Sequence, residues 1–200
     1  MDRLKKPGRN FLLVLVLVLS VALVGVTIFA FTRDQKPENQ TAALPPRVTI
    51  APSGIKYPSS WAEASSIATS EKELGVTSVA TKGEPTTKVI VRESNGDLSK
   101  GLDQEKLPDQ IASNLGQQVE GFKLVEKRTL KIDKHDAIKV EYTQLSPGDQ
   151  KVYRYVMFIV PTTQKTYYIT YSSAEDLAKI SSDITTINQA IMQHIEAQQR

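Results

Sequence analysis

The chain has 200 residues with 25 Lys/Arg, 22 Asp/Glu, two His and no Cys, for a net charge of +3. Four bases (Arg3, Lys5, Lys6, Arg9) and one acid (Asp2) fall in the first ten residues, leaving a neutral remainder with 21 of each sign. The charge therefore belongs to a short tail, which excludes a globally basic nucleic-acid-binding domain. The lack of cysteine excludes a disulfide framework, a thiolate metal site, a lipoprotein anchor and a cysteine nucleophile.

Residues 1–10 form that basic tail. Residues 11–31 (FLLVLVLVLSVALVGVTIFAF) are apolar apart from Ser20, Gly25 and Thr27. As a helix this run spans ~31 Å, which matches a hydrocarbon core of ~30 Å. The basic residues precede it, so the positive-inside bias puts the amino terminus in the cytoplasm and the rest of the chain outside. A cleaved signal peptide has an apolar region of roughly 7–15 residues ending in a small-x-small site. This run is longer, and Phe29-Ala30-Phe31-Thr32 offers no such site. A pilin-type leader is disfavoured because Arg9 and Asn10 follow Gly8 and the helix carries no acid. The expectation is one uncleaved transmembrane helix.

Residues 32–46 (TRDQKPENQTAALPP) are polar and proline-bearing, the composition of a tether that buries no core. Within it Asn39-Gln40-Thr41 has the form of a glycosylation acceptor, a match that chance explains better. Residues 47–200 are enough for one core. Residues 48–51 and 86–93 read as strands, the second closed by Asn95-Gly96. In residues 103–115, Leu107, Ile111 and Leu115 recur every four positions, and Gly116 is placed to end the helix. Pro108 marks a start or a bend within it.

Four consecutive strands are then expected, over residues 123–132, 137–143, 151–160 and 166–171. Short turn segments at 133–136, 146–149 and 161–164 separate them, which fits antiparallel hairpins. Ile138, Val140 and Tyr142 alternate with Lys139, Glu141 and Thr143. The strand 151–160 is apolar on both faces apart from Arg154, and so belongs in the middle of a sheet covered on both sides. Ser172-x-x-Glu175 has the form of a capping box, and Ile184, Ile187, Ile191 and Ile195 form the stripe of a last helix. The fold class is α+β, an antiparallel sheet covered by helices.

Tyr57-Pro58-Ser59-Ser60-Trp61 resembles the aromatic-Pro-x-x-Trp opening of PsbP-like domains. The order that follows is similar too: a central helix, Gly121-Phe122 leading into a long hairpin, two further strands with a Tyr-rich last one, and a terminal helix. The resemblance covers about residues 48–196. It implies an α/β/α sandwich and an accessory or binding module without catalytic chemistry of its own. This chain has Asp133-Lys134 where many such hairpins turn at Asp-Gly.

Chemistry-bearing constellations are sparse. Asp133, His135 and Asp136 at a hairpin tip lack the further donor that a metal site wants, and turn residues account for them. His194 reads as a surface histidine of the last helix. There is no Gly-x-Ser-x-Gly elbow, and the stretch from Gly96 to Gly101 around Ser99 lacks the Lys-Ser/Thr of a phosphate loop. No catalytic, metal or cofactor site is therefore assigned, and the protein is expected not to be an enzyme.

Two surface features remain. Lys123, Lys127 and Lys131 share one parity of a strand, with Arg128 opposite, and could meet anionic headgroups or polymers. A solvated face balanced by acids such as Glu141 explains the same row. Tyr153, Tyr155, Tyr167, Tyr168 and Tyr171 could line a groove, or pack in the core with hydroxyls at its rim. The candidate ligand or partner surface is thus Lys123, Lys127, Lys131, Tyr153, Tyr155 and Tyr167.

The expected function is a single-span, monomeric, extracytoplasmic binding or accessory module at the plasma membrane. Its expected partners are envelope proteins or anionic polymers, with no nucleic acid and no cofactor. The alternative is an envelope hydrolase with an unrecognised site, or a secreted subunit if the leader is cut.

Overall fold

A computed structural model describes residues 46–83, 86–96, 98, 105–145 and 151–198. The expected transmembrane run 11–31, the tail before it, the linker up to residue 45 and the turn at 146–149 lie outside the described residues, as does Ser99. Along the chain lie β1 (Arg47–Thr49), β2 (Ala62–Glu63), β3 (Ser66–Ala68), α1 (Thr69–Glu73), β4 (Val76–Lys82) and β5 (Thr87–Asn95). Then come α2 (Leu107–Gln118), β6 (Lys123–Ile132), β7 (His135–Leu145), β8 (Val152–Pro161), β9 (Lys165–Ser173), a 3-10 turn (Leu177–Ile180) and α3 (Ser181–Gln198).

Seven strands form one antiparallel sheet in the order β2-β4-β5-β9-β8-β7-β6, and β1 pairs with β3 beside it. The four hairpin-linked strands expected from the sequence are β6 to β9, in chain order. Strand β9 then pairs with β5, which carries the sheet on to β4 and β2.

Period-two alternation splits the sheet's residues between two cores. On one face Ile90, Ile138, Val140, Tyr142, Tyr155, Met157, Ile159 and Tyr168 pack with Leu107, Ile111 and Leu115 of α2. On the other, Val89, Val91, Val156, Phe158, Val160, Ile169 and Tyr171 pack with Ile187, Ile191, Met192 and Ile195 of α3. Strand β8 is central, as its two apolar faces require. Among the described residues, both cores are built from buried side chains between Ile50 and Ile195.

Three local expectations are corrected. Helix α2 starts at Leu107 with Pro108, whose fixed φ suits a first turn, and continues through Gly116 to Gln118. Gly116 faces a neighbour instead of ending the helix, since a Cβ there would sit 3.5 Å from the Phe122 ring. The Ser172–Glu175 capping box does not form, because β9 runs on through Ser173. Asp176 caps the following turn instead, its Oδ1 accepting from the Ala178 amide at 3.0 Å. The turn between β6 and β7 is only Asp133-Lys134, with Asp133 at φ 53°, so His135 and Asp136 already belong to β7.

Candidate interaction surface

The lysine row is broken by a bulge. Leu124 pairs with Tyr142 while Glu126 pairs with Glu141, so Val125 is an extra residue that reverses the alternation. Lys123, opposite Thr143, therefore faces the α3 side, whereas Lys127 and Lys131, opposite Val140 and Asp136, face the α2 side. Lys127 pairs with Asp109 of α2, and Lys131 lies 3.5 Å from Asp136. The tyrosines also divide. Tyr153, Tyr155 and Tyr168 face α2, Tyr167 and Tyr171 face α3, and no single groove holds them. Tyr142 and Tyr155 stack at 4.9 Å, and burial pushes the Tyr155 hydroxyl up to about 12.

The Tyr57–Trp61 segment is a clamp across the α3 side. The Trp61 ring is buried, and its Nε1–H donates to Asp183 Oδ2 of α3 at 2.9 Å. Lys82 Nζ, at the end of β4, reaches the same oxygen at 2.6 Å. These two donors hold the Asp183 carboxyl below its ordinary value. Tyr57 shares a 2.7 Å hydrogen bond with Ser78 Oγ, which donates to Glu63 Oε1 at 2.8 Å. Desolvation raises the Tyr57 hydroxyl to about 12. The Tyr57 hydroxyl and the Trp61 indole N–H are thus both engaged inside the fold.

A second polar cluster lies on the α2 side, where Glu71, Lys88 and Arg92 are buried. Lys88 Nζ is 3.7 Å from Glu71 Oε1, while Glu71 Oε2 accepts from the Ala68 amide at 3.1 Å. Arg92 stacks over the Tyr168 ring at 4.3 Å. Desolvation lowers the Lys88 ammonium and the Arg92 guanidinium and raises the Tyr168 hydroxyl. Glu71 thereby ties α1 and the end of β3 to Lys88 of the sheet. His135 is also structural, its Nε2 lying 3.1 Å from Glu196 of α3, and His194 bonds Gln198 at 2.8 Å. Among the described residues no group of three or more His, Asp or Glu could hold a metal ion.

What remains open is one corner of the sheet, where β6 begins, β7 ends and β8 begins. The α3 core reaches Ala137 on β7 and Val156 on β8 and stops there. Beyond it on the same face lie Lys139, Glu141, Thr143, Leu145, Val152 and Arg154. Lys139 Nζ donates to Glu126 Oε2 at 2.5 Å and Glu141 Oε2 at 2.9 Å, which relieves the repulsion of two carboxylates facing each other across the strands. Burial opposes the Lys139 charge, but the carboxylates outweigh it and raise its pKa, while the bond from Lys139 lowers that of Glu126. Arg154 pairs with Asp176 at 2.6 Å.

The large exposed hydrophobics among the described residues gather at this corner: Val152 at 56%, Val125 at 52%, Leu124 at 42% and Leu145 at 38%. Leu145 and Val152 are direct cross-strand partners. Gly121 lies against Leu145, since a Cβ there would come within 3.1 Å of Leu145 Cβ. Neither the lysine row nor the tyrosine set points to these four residues. Val152, the outermost residue of an otherwise buried strand, is the one sequence signal for them.

Residues 12–192 match the family model described as PsbP-like protein. The chain belongs to the PsbP-like family. Its PsbP-like fold is similar to the solution structure of cyanobacterial PsbP (CyanoP) from Synechocystis sp. PCC 6803. That match has 16% identity and a TM-score of 0.48 over 70% of this chain and 86% of that one. It is also similar to the crystal structure of LpqN of Mycobacterium tuberculosis, a protein involved in cell envelope biogenesis. There identity is 11% and the TM-score 0.49, over 68% of this chain and 79% of the other. No curated protein matches the sequence. In this PsbP-like domain the Tyr57–Trp61 opening serves as the clamp between the sheet and α3.

Proposed function

We propose that this PsbP-like protein is a membrane-anchored, extracytoplasmic accessory module that binds a component of the cell envelope and does not transform it. The anchor rests on the apolar run 11–31 and the basic residues before it. The observation that carries the binding reading is the uncovered corner. The other large apolar side chains of both sheet faces are packed under α2 and α3 or half-buried beside them, yet four stand exposed near one corner. Exposed apolar side chains that cluster, beside charged residues, mark interaction sites.

Two measurements test the reading. External protease on intact cells should digest the chain beyond about Arg33 and leave the amino-terminal tail protected. A mature soluble form beginning near Thr32 would contradict the anchor. A photo-crosslinker at Val152 should capture an envelope component in cells, whereas one at Thr163, exposed at the opposite end of the sheet, should not. Equal capture from both positions would contradict the corner as the working surface.

A further inference from the structure

We infer that the β6–β7–β8 corner docks into the interfacial region of the bilayer that holds the anchor, with anionic lipid headgroups as its partner. The inference rests on the proposed anchor. Its first support is where the tether joins the fold. Pro46 accepts from the Thr69 amide at 2.9 Å, Arg47 pairs with Ala68, and Glu71 of the adjoining turn of helix reaches Lys88. Lys88 begins a cross-strand row, Lys88–Ser172–Tyr155–Tyr142–Leu124, that crosses five strands and ends at the corner. The tether and the corner therefore lie at the same end of the sheet, four strand spacings or about 19 Å apart. As a coil, the 15 residues between the apolar run and Arg47 would have a root-mean-square span of roughly 20 Å, which would leave the corner within reach of the membrane surface.

The second support is the shape of the apolar patch. Leu124 points to the α2 side, Leu145 and Val152 point to the α3 side, and Val125 stands in the edge-strand bulge. Leu145 lies three residues past the row, so this part of the sheet extends about 10 Å beyond it. A protein docking on either face would leave the opposite apolar groups in water. A bilayer interface surrounds a protruding corner and covers all four.

The third support is charge. Lys123, Arg128, Lys139, Lys151 and Arg154 stand against Glu120, Glu126, Glu141 and Asp176, and Asp149 of the joining turn brings the sum to zero. The attraction therefore comes from exposed Lys123 and Lys151 beside the apolar groups and not from net charge. Lysine stems lie along apolar surface while their ammonium groups meet headgroup phosphates. The patch is small, so it orients a domain that the anchor already holds and does not replace the anchor.

The chain has no cysteine, so single-cysteine variants report one site each. The full chain would carry Val125→Cys, Val152→Cys or Thr163→Cys, labelled with an environment-sensitive fluorophore and reconstituted into vesicles of phosphatidylglycerol and phosphatidylcholine. Labels at 125 and 152 should shift to the blue and be quenched by lipid-borne spin labels, while the label at 163 stays solvent-like. Phosphatidylcholine alone, or Lys123→Glu in the labelled Val152→Cys chain, should weaken the quenching. A chain that does not float with the vesicles overturns the anchor. A floating chain whose labels at 125 and 152 stay solvent-like overturns the docked corner alone. Blue shifts that depend on protein density and not on the lipid quencher would assign the corner to a second copy, and equally overturn the proposal.

Discussion

Met157 and Phe158 are neighbours on β8, yet each side chain is buried in a different core. Met157 is 1% exposed among the α2-side residues and Phe158 6% exposed among those of the α3 side. Only a sheet covered on both faces puts consecutive residues out of water. Met157→Ala and Phe158→Ala should therefore each cost about 2–5 kcal/mol in lost burial and residual cavity. Unfolding midpoints in denaturant measure this, and a loss within about half a kcal/mol for either would mean that its covering layer is absent.

The Asp183 carboxylate, bonded by Lys82 and Trp61, predicts a pH dependence. Its pKa is lowered in the folded protein. Its contribution is thus fully present above the ordinary carboxylate range near about 4 and is lost as pH falls through the depressed folded value. Asp183→Asn should flatten the acid limb of the stability profile and leave its slope near neutral pH unchanged. An unaltered acid limb would show that this link between the clamp and α3 contributes little.

Glu71 places a carboxylate beside the buried Lys88 ammonium. Removing one member of a buried pair leaves the other charge uncompensated, at a typical cost of about 3–5 kcal/mol. Glu71→Ala is expected in that range, read from the unfolding midpoint. A loss below about 1 kcal/mol would show that Lys88 is solvated or held by other groups.

Asp133 occupies the left-handed region at φ 53° in a two-residue turn. A β-branched residue there should cost about 1–2 kcal/mol, whereas Asp133→Gly should be neutral or stabilising. Equal stabilities for Asp133→Val and Asp133→Gly would refute the turn geometry.

Strong periodicity was legible, and local exceptions to it were not. The β6–β9 meander, the doubly apolar β8 and the isoleucine stripe of α3 follow from alternation and helical spacing, because burial enforces them. Strand β4 (VTSVATK) escaped notice, since its short, half-polar run gains its apolar surroundings only between β2 and β5. The bulge at Val125 was not legible either. One unpaired residue reverses the parity of Lys123 against Lys127, and no residue type announces it. The division of the tyrosines was legible in principle, because Tyr167 and Tyr168 are consecutive in a strand and must face opposite ways. The exposed corner arises from where α3 ends over the sheet, a tertiary fact that no local pattern carries.

Amide hydrogen exchange tests the working surface most directly. It would compare the full chain in its native membrane with residues 46–198 in buffer. Exchange should slow in the membrane at Lys123, Leu124, Val125 and Val152 alone, with Thr162, Thr163 and Gln164 unchanged. Identical exchange at the corner in both settings, or protection spread evenly over both ends of the sheet, would contradict that working surface.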